Sequence, residues 1–123
     1  NFVDKYVKEY GSLTGTEINR KPKTIAEAKT SKESYFYWIR NLWNSQSDKT
    51  TVESAAMFLF LNKTCFRGVY REGPNGFNVP YGHYKTTPKV ITKDEINAIS
   101  VLIKDVQFIE KGFQDSIKNL WVI

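Results

Sequence analysis

Residues 62–85, NKTCFRGVYREGPNGFNVPYGHYK, set arginines, aromatics, glycines and two prolines into one irregular segment between two stretches of helical periodicity. A buried core rarely uses that mixture; a surface that grips a polyanion does. Phe66 to Tyr70 and Gly76 to Val79 flank Arg71-Glu72-Gly73-Pro74-Asn75-Gly76, whose Gly-Pro-Asn-Gly core is rich in turn formers. The pattern predicts a β-hairpin over about residues 64–82 in a chain that is otherwise mainly α. Charge concentrates in the same region. From Lys63 to Lys93 six basic residues face one acid, Glu72, a local excess of +5 that equals the net charge of the whole chain. Such a concentration is an electrostatic footprint for phosphates.

Outward from this segment, helical spacing dominates. Val52 to Leu61 is apolar on nearly every face and predicts a central, buried helix, with Thr50 and Glu53 at capping-box spacing before it. Tyr35, Trp38, Ile39, Leu42 and Trp43 follow i, i+3, i+4, i+7, i+8, an aromatic stripe that reads as core packing, and Thr30 with Glu33 repeats the capping pair. Phe2, Val3, Tyr6, Val7 and Tyr10 predict a short amphipathic helix over residues 2–10, ending near Gly11, and a small basic loop, Gly15 to Lys23, follows. Beyond the hairpin, Thr92 and Glu95 precede Ile96, Ile99, Leu102 and Ile103, predicting a helix that ends near Lys104. Val106 to Ile109 alternates partly like a strand, Asp115 to Asn119 suggests a helical turn, and Leu120 to Ile123 reads as a buried strand. The chain opens without an initiator methionine and closes on an apolar triplet, as a piece of a longer protein would.

The 123 residues fit one domain, and 41% hydrophobic with 25% charged content is ordinary for a globular protein. One cysteine, Cys65, excludes an intrachain disulfide and any multi-cysteine metal site. The longest apolar run is far shorter than a membrane span, and no signal-peptide pattern opens the chain. The expectation is a soluble, intracellular protein, in cytoplasm or nucleoid, or in the host cell if viral. Asn62-Lys63-Thr64 matches a glycosylation sequon that nothing else in the sequence supports. Catalytic constellations are missing: the lone histidine, His83, reads as a polar contact, Cys65 as a small buried hydrophobe, and no glycine-rich nucleotide motif occurs.

Residue chemistry leaves three readings of the hairpin open: a nucleic-acid grip, a protein-binding ribbon, or a solvated hairpin with scattered charge. In the first, a two-stranded ribbon enters a major groove, where Arg71 beside the turn offers a forked pair of hydrogen bonds to guanine. Phe66 wedges between bases, while Lys63, Lys85 and Lys89 contact phosphates.

Three ordered blocks narrow the choice. Leu61-Asn62-Lys63-Thr64, Phe66-Arg67-Gly68-Val69-Tyr70-Arg71 and Phe77-Asn78-Val79-Pro80-Tyr81-Gly82-His83-Tyr84-Lys85 resemble the target-recognition region of Dam-type DNA adenine-N6 methyltransferases. Upstream, Ser34-Tyr35-Phe36-Tyr37-Trp38-Ile39-Arg40 is similar to the Tyr-Tyr-x-x-Arg pattern that precedes those blocks in the family. The family's cofactor motif, Phe-x-Gly-x-Gly, and its Asp-Pro-Pro-Tyr catalytic motif are not in this sequence. The resemblance therefore implies a helical DNA-recognition module, residues 1–104, with residues 105–123 beginning a return, through C-terminal strands, into an α/β methyltransferase sheet. It implies sequence-specific duplex recognition, with GATC the common target of Dam-type enzymes, for an S-adenosylmethionine-dependent enzyme of a restriction-modification or related system. The chain alone is expected to be non-catalytic, to bind no cofactor or metal, and to partner duplex DNA and the catalytic domain of the same parent. A non-catalytic DNA-binding or decoy protein is the alternative. Among site residues, the resemblance implies base contacts from Arg71, Phe66, Val69, Pro80 and Tyr84. Asn62, Arg67 and Lys85 join Lys63 and Lys89 on the backbone. Arg67 is a departure, since many members carry asparagine there.

Overall fold

Val3, Tyr6 and Tyr10 recur at helical spacing, and that face buries α1 (Phe2–Ser12). The computed structural model describes residues 2–120, whose contacts form two units that part between Lys93 and Asp94. In the first unit, α1 is followed by the loop expected from the sequence and by one unforeseen turn, α2 (Ile25–Ala28), capped by the Thr24 hydroxyl. Then come α3 (Lys32–Ser45) and α4 (Val52–Thr64). Both long helices start one residue later than their capping pairs suggested. Thr50 spends its N–H and hydroxyl on Asp48 Oδ1, at 2.9 and 2.5 Å, so Thr51 caps α4 by accepting from Ser54 N–H. Thr30 likewise donates to the carbonyls of Glu17 and Glu27, and Ser31 caps α3. The displaced acids find other partners: Glu53 accepts from the Tyr6 hydroxyl and Glu33 from Arg20.

The core lies where α1 and α3 pack on α4. Phe60 of α4 is fully buried, and the rings of Tyr6, Tyr10 and Tyr35 surround it at centroid distances of 6.3, 5.4 and 5.7 Å. Desolvation pushes the Tyr6 hydroxyl up to about 12, so the phenol stays neutral in this setting. The α3 stripe is core, as its spacing indicated: Tyr35, Ile39 and Trp43 are buried, with Trp38 and Leu42 packed against them. The expectation that α4 is buried all round holds on one side only. Ala56, Met57, Phe60 and Leu61 are covered, while Val52 and Phe58 are exposed. Two packed helices cover only part of a third, and the remaining arc faces outward.

The hairpin exists but is short. β1 (Glu72–Gly73) pairs antiparallel with β2 (Gly76–Phe77) around Pro74 and Asn75. The expected strand from Phe66 to Tyr70 is instead a single 3₁₀ turn at Phe66–Gly68 followed by irregular chain. A strand cannot continue there because Arg67 and Gly68 take left-handed φ angles of 53° and 63°.

The second unit contains α5 (Lys93–Leu102) and α6 (Phe113–Leu120). The expected helix after Thr92 and the turn at Asp115 to Asn119 are both present. Val106 to Ile109 is not a strand, since β1–β2 is the only ladder among the described residues and this stretch has no partner strand in it. Leu120 ends α6, and the remainder of the strand expected at Leu120 to Ile123 lies outside the described residues.

Phe60→Ala removes the hub of the aromatic cluster from a fully buried site. A loss of about 3–5 kcal/mol is expected from the midpoint of urea unfolding.

Candidate nucleic-acid interface

The hairpin region is rooted by a neck of backbone pairing. Phe66 N–H donates to the Pro80 carbonyl and Gly82 N–H to the Thr64 carbonyl, both at 2.9 Å, with Cys65 and Tyr81 bridged between them. Tyr81 points inward and is buried. Its hydroxyl lies 2.5 Å from that of Tyr10, and its N–H donates to the Tyr37 hydroxyl. Close approach demands glycine at position 82, where a Cβ would stand 2.7 Å from the Cys65 carbonyl oxygen and 2.9 Å from that of Thr64. The Tyr84 hydroxyl closes the neck by donating to the same Cys65 carbonyl at 2.8 Å.

Between neck and tip, the 3₁₀ turn throws residues 66–70 outward. Phe66, Val69 and Tyr70 are exposed, and the Arg67 guanidinium lies 5.0 Å from the Phe66 ring centre. A left-handed non-glycine residue costs about 1–2 kcal/mol. The turn is held against that cost by Asn62 on α4, whose Nδ2 donates to the Gly68 carbonyl at 3.1 Å. Strain of this kind gathers at functional positions.

The tip is fixed from α3 by two polar side chains one helical turn apart. Asn44 Nδ2 donates to the Phe77 carbonyl and Asn44 Oδ1 accepts from Phe77 N–H, both at 2.9 Å, so one amide imitates a neighbouring strand. Gly76 has φ 102°, and a Cβ there would lie 2.5 Å from Asn44 Oδ1, so the clamp and the turn require each other. Arg40 Nη1 donates to the Val79 carbonyl at 3.1 Å while its guanidinium covers the Tyr37 ring. Burial pulls the Arg40 pKa down and leaves its Nε without a partner among the described residues. Neither Arg40 nor Asn44 was assigned a role from sequence. Their i, i+4 spacing on the polar side of the α3 stripe was the signal that marks them as facing one neighbour.

The expected site residues divide into two groups. Asn62, Lys63, Arg67, Tyr84 and Lys89 come together around a concavity of about 420 Å³, completed by Gly68 and Pro88. Arg71 stands apart, exposed beside β1, with Nε donating to Asn78 Oδ1 at 2.7 Å and Nη2 to the Asn78 carbonyl at 3.1 Å. Those bonds use two of the five guanidinium donors of an exposed side chain. Pro80, Val69 and Lys85 are exposed, Pro80 on the return strand of the neck and Lys85 beyond it. Tyr70 donates to the Glu72 carboxylate, which pushes the phenol up to about 12 and occupies the segment's one acid. Cys65 is wholly buried, and desolvation raises its thiol pKa. Among the described residues, no group of three or more His, Cys, Asp or Glu side chains is placed to hold a metal, and no helix is long and apolar enough to cross a membrane.

Residues 1–120 match the sequence model of the D12 class N6 adenine-specific DNA methyltransferases. The chain is 33% identical over 116 residues to the type II methyltransferase M.MjaIII of Methanocaldococcus jannaschii, taking in 93% of this chain and 37% of that protein. It is 38% identical over 84 residues to the type II methyltransferase M.CviBI of Paramecium bursaria Chlorella virus NC1A, covering 66% of this chain and 29% of the relative. With the retron Ec67 DNA adenine methylase of Escherichia coli it shares 31% identity over 93 residues, 75% of this chain and 32% of that one. The chain thus spans about a third of the length of these relatives.

Asn44→Ala deletes both bonds to the Phe77 backbone. It is expected to cost about 1–3 kcal/mol and to speed hydrogen exchange at the Phe77 amide, which two-dimensional NMR will read. The Cys65 thiol is expected to resist DTNB at neutral pH and to react once urea unfolds the chain.

Proposed function

Because the chain belongs to the D12 class N6 adenine-specific DNA methyltransferase family, we propose that it is the part of such an enzyme that locates the target adenine in duplex DNA. Two observations in one segment, which holds all the net charge of the chain, carry this reading: the outward excursion of Phe66 and Arg67, and the separate, pre-oriented Arg71. An exposed ring on a rigid neck suits insertion between base steps, and an exposed, partly satisfied guanidinium suits a guanine edge. Val69 and Pro80, both exposed, and Tyr84, at the edge of the Asn62–Lys89 concavity, serve as base neighbours in this reading. Asn62, Lys63, Arg67 and Lys89 line one concavity and, with Lys85, hold phosphates, which sets register without reading sequence. The recognised sequence in this proposal is of the GATC type.

Methyl transfer requires S-adenosylmethionine in the parent enzyme. The three concavities described among residues 2–120 do not suit that cofactor, being lined mainly by Arg, Lys, Asn and hairpin residues, and the sequence has no Phe-x-Gly-x-Gly stretch. The contribution of this chain is recognition. Extrusion of the adenine costs a few kcal/mol of unstacking, which a wedge at Phe66 would help to offset.

Fluorescence anisotropy with a GATC duplex and a scrambled one tests the assignment. Affinity is expected to fall steeply with salt, whereas a protein-binding ribbon predicts almost no salt dependence for DNA. Arg71→Ala is expected to cost about 1–3 kcal/mol on the GATC duplex and to flatten the preference, while Lys85→Ala weakens both duplexes alike. Identical behaviour of the two variants would refute the division into reader and anchor.

A further inference from the structure

Arg20, Lys21 and Lys23 place three cations within four residues, outside the basic hairpin segment. The loop that carries them is held in place. Asn19 N–H donates to Ser34 Oγ at 2.8 Å, Lys21 N–H to Asn19 Oδ1 at 2.9 Å and Lys23 N–H to Glu27 Oε2 at 2.6 Å, while Pro22 between them is buried. Arg20 Nε meets the buried Glu33 carboxylate at 3.4 Å, yet its side chain remains 70% exposed. Lys21 and Lys23 are exposed, and neither ammonium has an ion-pair partner among the described residues.

These residues form one wall of a concavity of about 580 Å³, with Tyr37, Arg40 and Asn41 of α3 opposite. A second concavity, of about 490 Å³, continues from Arg40 and Asn41 past Asn44 to the hairpin turn, Gly73 to Asn78. No carboxylate lines either. The two share Arg40 and Asn41, so the basic loop, α3 and the tip of the hairpin border adjoining concavities whose cations are Arg20, Lys21, Lys23 and Arg40. A strand of phosphates leaving the hairpin can extend along these concavities to the loop, whereas a single small anion would occupy only one of them.

We propose that the Arg20–Lys23 loop is a second anchor for duplex DNA, gripping phosphates that flank the base pairs met by the hairpin and lengthening the footprint. It rests on the DNA-recognition reading above and adds contacts on a face separate from the Asn62–Lys89 concavity. As phosphate contacts, the loop cations add affinity and salt dependence and leave sequence preference untouched.

The test measures binding of this chain to two GATC-centred duplexes, one of about 10 base pairs, a single helical turn, and one of about 30. Wild type is compared with R20Q/K21Q/K23Q and with K21Q/K23Q, which leaves the Arg20–Glu33 pair intact. Thermal melting confirms that both variants fold. On the long duplex the slope of log K against log salt is expected to shrink by about 2–3 for the triple variant and about 1–2 for the double, near 0.9 per lost contact. On the short duplex both variants are expected to match wild type, and the GATC preference is expected to persist on both lengths. Wild-type slopes for the variants on the long duplex would overturn the loop anchor while leaving the hairpin reading intact. Equal losses on short and long duplexes would overturn the flanking placement. A wild-type chain that binds neither duplex would remove the DNA reading and the anchor together.

Discussion

Tyr81 ties the projecting segment to the helical core. Its ring packs against Phe36 and against Tyr10, its hydroxyl pairs with that of Tyr10, and its backbone N–H is taken by Tyr37. Burying an aromatic side chain favours folding by a few kcal/mol, and a polar tip needs a partner once it is inside. Both conditions are met, so the chain on either side of Tyr81 leaves the core at a fixed place and angle. From that point the Thr64–Phe66 and Pro80–Gly82 segments pair as a neck. Everything beyond the neck inherits its position.

Rigidity at the outer end has a different origin. A ladder of two residues per strand is too short to stand alone in water. Asn44 and Arg40 supply what the ladder lacks, because α3 is already immobilised by its aromatic face and its opposite edge lies against the hairpin. A helix that is core on one side thus acts as an extra strand on the other. The strained Arg67 is tolerated for a similar reason, since Asn62 on α4 secures the Gly68 carbonyl next to it.

Charge follows this scaffolding. The segment's one acid, Glu72, is engaged by Tyr70, while Arg71 is held by Asn78 and Lys63, Arg67 and Lys89 line an open concavity. Pre-positioned cations lose less entropy on meeting phosphates than cations on free loops do. Across Arg40 and Asn41 of α3 from the hairpin, the basic loop shares this property through its backbone bonds to Asn19 and Glu27. Cations at separate places along the same edge of α3 suit a partner whose charge repeats along its length.

Much of this was legible in the sequence. Helical spacing marked α1, α3, α4 and α5, because amphipathic burial imposes a period that needs no knowledge of the partner. The Gly-Pro-Asn-Gly core marked the turn, since few residues fit its dihedral angles. Family membership was legible too, in the ordered blocks from Leu61 to Lys85. Other features belonged to the tertiary structure. Which of Thr50 and Thr51, or Thr30 and Ser31, caps a helix depended on where Asp48, Glu17 and Glu27 sit. That residues 66–70 form an outward turn instead of a strand followed from left-handed angles at Arg67 and Gly68 secured by Asn62. The roles of Asn44 and Arg40 arise from backbone groups more than thirty residues away. Local periodicity and turn chemistry are written in neighbouring residues, whereas the satisfaction of polar groups across the fold exists only once the helices have packed.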